Sequence, residues 1–152
     1  MSSFLRKNKK DSVNRSVEIP SIGTLHYLTS SDKNFWMGIV DTIAPNNKIE
    51  LSIEPSNGTE LSDEQIKLIQ ELPIDYGYYI EMLYIYLEVA FEEFPLETIR
   101  QMYFLVATEL KKYNNEWWFT LEPTCNVPSI YNHFQRFTIV DKKITWSNVP
   151  LE

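Results

Sequence analysis

Alternation of apolar and polar residues predicts β-strands in the first third of the chain. Residues 48–54 show it most clearly, because three aliphatic side chains would face a core while the residues between them face solvent. Residues 22–27 and 35–40 also fit strands. The segment between these two is rich in turn-forming residues, so a hairpin is predicted.

Helical spacing replaces alternation from residue 62. Ser62 is a suitable N-cap, and Gln65 follows it by three residues, which is the pattern of a capping box. Asp63 and Glu64 in the first turn suit the positive end of the helix dipole. Pro73 is predicted to interrupt this helix, because proline lacks the amide hydrogen that a helix interior uses.

The stretch YGYYIEMLYIYLEVAFEEF, residues 76–94, predicts a second and longer helix that Pro95 ends. It holds five of the nine tyrosines, and its apolar residues recur at one face of a 3.6-residue period. Glu81, Glu88 and Glu92 share the opposite face with Ile85, so that face is predicted to be mostly acidic. The predicted core-facing residues are Ile80, Leu83, Tyr84, Leu87, Ala90, Phe91 and Phe94.

The last third of the chain predicts strands again, after a short turn over residues 96–101. Residues 102–110 fit either a helix or a strand, and their aromatic and β-branched residues favour a strand. The remaining predicted strands are 117–121, 134–140 and 144–149. This order predicts an α+β fold, in which an antiparallel sheet of hairpins is packed on one face by a long amphipathic helix.

Composition favours one folded domain. The 152 residues are 43% hydrophobic, so residues 16–152 are predicted to form a single α+β domain after a basic N-terminal tail, residues 1–15. One cysteine, Cys125, excludes an intrachain disulfide and suits a reducing compartment. Without a targeting segment or an apolar run of about 18 residues, the predicted location is cytoplasmic, with no membrane partner.

Negative charge is concentrated in the middle of the chain. Residues 60–97 hold ten acidic residues against Lys67, and the whole chain has a net charge of −7. Such a surface repels phosphate backbones, so the folded body is not expected to bind nucleic acid. It would attract a basic protein, although acidity that only maintains solubility is the simpler alternative. The sequence does not specify the oligomeric state.

No catalytic residue, metal ligand or cofactor is predicted. His26, His133 and Cys125 could act as bases or nucleophiles, but no catalytic signature surrounds them. Trp118 is expected on the polar face of its strand, because its neighbour Trp117 must point the other way. An exposed tryptophan is a typical anchor of protein interfaces. The predicted partner-binding residues are Glu81, Glu88, Glu92 and Trp118.

Several segments together resemble a family of small uncharacterised bacterial proteins of unknown function. They are IGTLHY, FWMGIV, IELSIEP, a helix that starts with SDEQ, and the closing FTIVDKKITW. The resemblance spans about residues 19–149, and it carries turns and core alternation without defining functional residues. Members of this kind are similar to immunity proteins that neutralise polymorphic toxins. The resemblance therefore implies a protein-binding role.

Two functions compete. The first is a non-enzymatic protein-binding module. In its most specific version, this module is an immunity protein that neutralises a basic toxin through the acidic helix face. The second is a small-ligand binder or hydrolytic enzyme with a tyrosine-lined pocket between sheet and helix, in which His26 or His133 would act as the base. The missing catalytic constellation favours the first function.

Overall fold

The computed structural model describes residues 15–30, 32–125 and 127–149. Of the predicted basic tail, only Arg15 lies within this part of the chain. Eight strands and two α-helices follow one another there, with a 3₁₀ helix at Ser129–Tyr131 between the sixth and seventh strands. They are β1 (Ser16–Ile19), β2 (Gly23–Thr29), β3 (Asn34–Ala44), β4 (Asn47–Ile53), α1 (Asp63–Ala90), α2 (Leu96–Met102), β5 (Tyr103–Leu110), β6 (Trp117–Pro123), β7 (Gln135–Val140) and β8 (Lys143–Ser147).

The eight strands form one sheet, in which they lie side by side in chain order from β1 to β8. Neighbouring strands are antiparallel except β4 and β5, which pair in parallel. The two helices connect this pair, so the chain re-enters the sheet in the same direction in which it left. The predicted α+β fold is confirmed, with the correction that the sheet is mostly rather than entirely antiparallel.

One face of the sheet packs against α1. The ring of Tyr79 lies 5.2 Å from that of Phe119 on β6, and Tyr86 lies 5.4 Å from Phe137 on β7, measured between ring centroids. The side chains at alternate strand positions are buried on this face of the sheet. Those on the central strands are Trp36, Ile49, Leu51, Ile53, Leu105, Leu110, Trp117, Phe119, Leu121, Phe137 and Ile139.

The intervening strand residues point to the other side of the sheet, as the two-residue period requires. Most of them are exposed or half-buried, in contrast to the residues that face α1. We call this second side the open face.

α1 is one continuous helix of 28 residues that passes through Pro73. The prediction of two helices separated at this residue was wrong. A proline inside a helix costs about 3 kcal/mol. Buried contacts on both sides of it outweigh that cost, because Ile69, Leu72 and Tyr79 all pack into the core.

The start of α1 follows the prediction. Ser62 and Gln65 form the capping box, in which the amide of Gln65 donates to the Ser62 hydroxyl at 3.1 Å. The Gln65 side chain also donates to the carbonyl of Glu54 at 2.7 Å. Because Gln65 is buried, this hydrogen bond fixes the helix start against the end of β4.

The segment after α1 differs from the prediction in two ways. The helix ends at Ala90 rather than at Pro95, and Phe91 and Phe94 instead pack on Tyr131 with ring centroids 4.9 and 5.1 Å apart. Residues 96–101 belong to the short helix α2 rather than to a turn. The strand favoured for the residues after it is confirmed as β5.

Thr108 on β5 should be replaceable with a gain in stability. It is 1% exposed, and its hydroxyl has no hydrogen-bond partner in the described part of the chain. Burial of an unsatisfied hydroxyl is costly, so Thr108→Val is expected to raise the free energy of unfolding by about 1 kcal/mol. Urea denaturation measures this. Thr42→Val is the control and should destabilise, because the Thr42 hydroxyl donates to the carbonyl of Ile22 at 2.7 Å.

Two tyrosines of α1 make the fold sensitive to alkali. Burial, aided by the charge of Asp75, raises the pKa of Tyr79 to about 12, and burial also raises the pKa of Tyr84 to about 12. Tyrosine in the unfolded chain has a pKa of about 10, so the unfolded chain loses these protons first. Stability is therefore fully present below about pH 10 and is lost as the pH rises toward 12.

The urea midpoint should fall across this pH range, and it should fall less steeply for Tyr79→Phe. Equal slopes for the two proteins would contradict the assignment to Tyr79.

Candidate functional site

The solvent side of α1 carries apolar residues, and the described part of the chain leaves much of their surface exposed. Ile74 is 81% exposed, Tyr78 56%, Ile85 46% and Val89 59%. An α-helix turns about 100° per residue, so these residues lie on one side of α1, opposite the buried Leu83. Met82 is half-buried beside them. The outer stripe comprises Ile74, Tyr78, Met82, Ile85 and Val89.

This stripe corrects the expectation of a mostly acidic outer face. Apolar residues occupy the centre of that face, and the acidic residues surround them. A soluble helix usually presents a polar face to solvent, whereas a helix that is apolar on both sides is normally covered. The second half of α1 therefore has the composition of a helix with contacts on two sides.

The predicted acidic residues form the rim of the outer stripe. Glu81 and Glu88 lie along one edge, and Glu92 follows its C-terminal end. Glu81 forms an ion pair with Arg100 of α2. Glu88 and Glu92 have no ion-pair partner among the described residues, so both carboxylates are available to a binding partner.

The opposite edge of the stripe begins near Asp75, which lies 3.3 Å from the ammonium group of Lys142. The hydroxyl of Tyr78 donates to the carbonyl of Lys142 at 3.3 Å. These contacts hold the N-terminal part of the stripe against the turn between β7 and β8. The outer stripe is thus supported by the sheet as well as by the helix backbone.

Trp118 lies on the open face, as predicted, and is 40% exposed. The strand register places Trp118 beside Glu109 on β5 and beside Thr138 on β7. Thr138 pairs in turn with Trp146 on β8. Trp146 is 52% exposed. Sequence analysis did not single out Trp146, because alternation alone would place it on the same face as Ile144, and a register shift between β7 and β8 turns it to the open face instead.

Polar groups fix the Trp118 ring. Its indole nitrogen donates to Glu116, and the ammonium of Lys111 lies 4.6 Å above the ring. The Lys111 ammonium also forms ion pairs with Glu54, at 3.1 Å, and with Glu109. Partial burial lowers the pKa of Lys111, but the two carboxylates outweigh burial and hold it above its ordinary value. Lys111 therefore remains charged and holds Trp118 in place.

A cavity of about 280 Å³ lies on the open face between the two tryptophans and the middle of the sheet. Small side chains form its floor, and charged side chains stand around it. The lining residues with polar or aromatic groups are Glu50, Ser52, Thr108, Glu109, Trp118, Phe119, Thr120, Arg136, Phe137, Thr138 and Trp146.

The histidines proposed as bases do not line a pocket between the sheet and α1 in the described part of the chain. His26 is exposed on β2, and His133 is exposed before β7. A cavity of about 150 Å³ lies between α1 and the sheet, lined by one tyrosine, Tyr79, and by no histidine. Cys125 is exposed in the loop after β6.

Two further observations concern metals and membranes. The described residues contain no cluster of three or more histidine, cysteine or acidic side chains able to hold a metal ion. Within the same residues, no helix is both long enough and apolar enough to cross a membrane.

The four predicted site residues do not form one site. Glu81, Glu88 and Glu92 lie on α1, whereas Trp118 lies on the open face, on the other side of the sheet. Comparison with family models, curated proteins and solved structures gave no match to this chain. What the protein does must therefore be inferred from the chemistry of these two surfaces.

Proposed function

We propose that this protein is a non-enzymatic protein-binding module that docks a basic protein on the outer stripe of α1. The exposed apolar stripe within an acidic rim is the observation that carries the proposal. Stable interfaces commonly have an apolar centre that supplies affinity and a polar rim. The rim acids would select a basic partner and speed its association.

The sharper form of the proposal is an immunity protein that neutralises a basic toxin. Proteins that act on nucleic acids carry lysine and arginine to contact phosphates. An acidic docking surface complements such a patch and would compete with the phosphate backbone for it. The strand and hairpin motifs resemble a family of small uncharacterised bacterial proteins that are similar to immunity proteins, and this resemblance agrees with the role.

A small-ligand binder is the second candidate function, and the cavity on the open face favours it. Pockets for small molecules combine apolar walls with a few polar groups that set orientation. Trp118 and Trp146 would supply the walls, and Arg136 and Glu50 the charged groups. This site differs from the tyrosine-lined pocket expected from the sequence.

Charge reversal at the rim tests the first function. Glu88→Lys with Glu92→Lys should leave the free energy of unfolding within about 0.5 kcal/mol of wild type, because exposed substitutions are usually mild. At low salt, wild-type bait should retain a basic protein from a lysate of the native host, and the double variant should lose it. Added salt should release the same protein from the wild type.

Trp118→Ala serves as the matched control on the opposite side of the sheet, and it should retain the partner. Retention by the charge-reversed bait, or loss only with Trp118→Ala, would contradict docking on α1.

A further inference from the structure

The outer stripe has the spacing of a coiled-coil seam. Tyr78, Met82, Ile85 and Val89 are separated by four, three and four residues. In a heptad repeat these are successive d, a, d and a positions, which form the contact line between two helices. At a rise of about 1.5 Å per residue, this seam extends roughly 16 Å along α1.

The residues beside the seam have the properties that specify a partner helix. Glu81 and Glu88 precede Met82 and Val89 directly, so they occupy the two g positions, whose charges set partner choice in coiled coils. On the other flank, Tyr86 is half-buried and its hydroxyl donates to the carbonyl of Val149 at 2.8 Å. One flank of the seam is therefore acidic, and the other is closed by the body of the protein.

We propose that the docking element of the partner is an amphipathic α-helix, with apolar residues at the same three-and-four spacing and lysine or arginine beside them. This inference rests on the proposed function and names the part of the basic partner that fits. Helices with such seams pack at about 20° to each other, so that side chains of each fill gaps in the other. The basic flank would pair with Glu88 and approach Glu81.

A second copy of this chain fits the seam less well. A two-fold antiparallel pair would bring Glu81 and Glu88 of one copy against the same residues of the other. Like charges at flanking positions disfavour such pairs. A partner strand fits less well too, because strand addition needs the free backbone groups of a sheet edge, and a helix side offers none.

Three labelled peptides of identical composition test the helical partner. In the first, leucine occupies the a and d positions and lysine the e and g positions. Each peptide contains one proline, which is terminal in the first and second peptides. The second peptide is a scramble of the first, and the third is the first with its proline moved to the centre. Fluorescence anisotropy should show that full-length protein binds the first peptide at least tenfold more tightly than the others. Circular dichroism should show that this peptide gains helix on binding.

The protein side is tested with Ile85→Gln combined with Val89→Gln. This variant should bind the first peptide no better than it binds the scramble. Ile39→Gln is the matched control, because Ile39 is 62% exposed on the sheet and should not affect binding. Glutamine is a good helix former, so the fold of α1 is expected to persist.

Equal affinity for the three peptides would overturn the inference of a helical partner. Binding of the first peptide that is unchanged by Ile85→Gln with Val89→Gln would also overturn it. The docking of a basic protein would survive that result, because the pull-down from lysate tests it separately. A dimer in sedimentation that dissociates in the same double variant would identify a second copy as the occupant and would also overturn the inference.

Discussion

Gly38→Ala is expected to unfold the protein or to lower its free energy of unfolding by about 3 kcal/mol. An added Cβ would lie 2.6 Å from the carbonyl oxygen of Thr24 and 2.9 Å from a methyl group of Leu25. Thr24 belongs to β2, the strand next to Gly38 on β3. Its carbonyl is backbone, so relief of the clash requires the two strands to separate. Urea or thermal denaturation measures the loss.

Gly77→Ala provides the control for this prediction. An added Cβ at Gly77 meets nothing within 4 Å, and the residue lies inside α1. Alanine is favoured over glycine in a helix by about 1 kcal/mol, so this variant should be more stable than wild type. Equal stability of Gly38→Ala and wild type would show that the strands approach less closely than described.

Ile85→Gln with Val89→Gln is expected to weaken binding of the recovered basic partner by about 100-fold, because hot-spot residues at the centre of an interface contribute most of its energy. Both side chains are about half exposed, so the free energy of unfolding should change little. Isothermal titration calorimetry with the purified partner measures the affinity.

The control for the partner titration is Ile39→Gln, which removes from the open face an apolar side chain that is at least as exposed as Ile85 and Val89. Its affinity should match that of wild type. An affinity of the double variant within twofold of wild type would place the interface elsewhere on the molecule.

Local patterns predicted much of the fold because they report local physics. The alternation over residues 48–54 requires one buried side, and β4 has it. The Ser62 and Gln65 pair satisfies the free amides at the helix start wherever that helix packs, so the start of α1 was predictable. The exposure of Trp118 followed from the same two-residue period.

Other features depend on tertiary contacts that the sequence does not display. Pro73 remains within α1 because buried residues on both sides outweigh a local cost. β1 has four residues and lies at the sheet edge, and its pairing with β2 rather than its own pattern defines it. The parallel pairing of β4 with β5 joins residues more than 50 positions apart.

The candidate site was only half predictable. Charge and helical spacing together identified Glu81, Glu88 and Glu92, because these acids recur on one face of the predicted helix. The outer stripe was missed because Ile85 was counted among the acidic residues, and because Ile74 lies between Pro73 and the predicted second helix. Once α1 is continuous, Ile74 falls on the same side of the helix as Ile85.

Site-specific photo-crosslinking tests most directly whether a basic protein docks on the outer stripe. Benzoylphenylalanine would replace Ile85 in one protein and Trp146, on the open face, in another. Both proteins would be illuminated in cells of the native host, and any adduct identified by mass spectrometry. The expected result is an adduct with a basic protein from position 85 and none from position 146. An adduct from position 146 alone would contradict docking on α1.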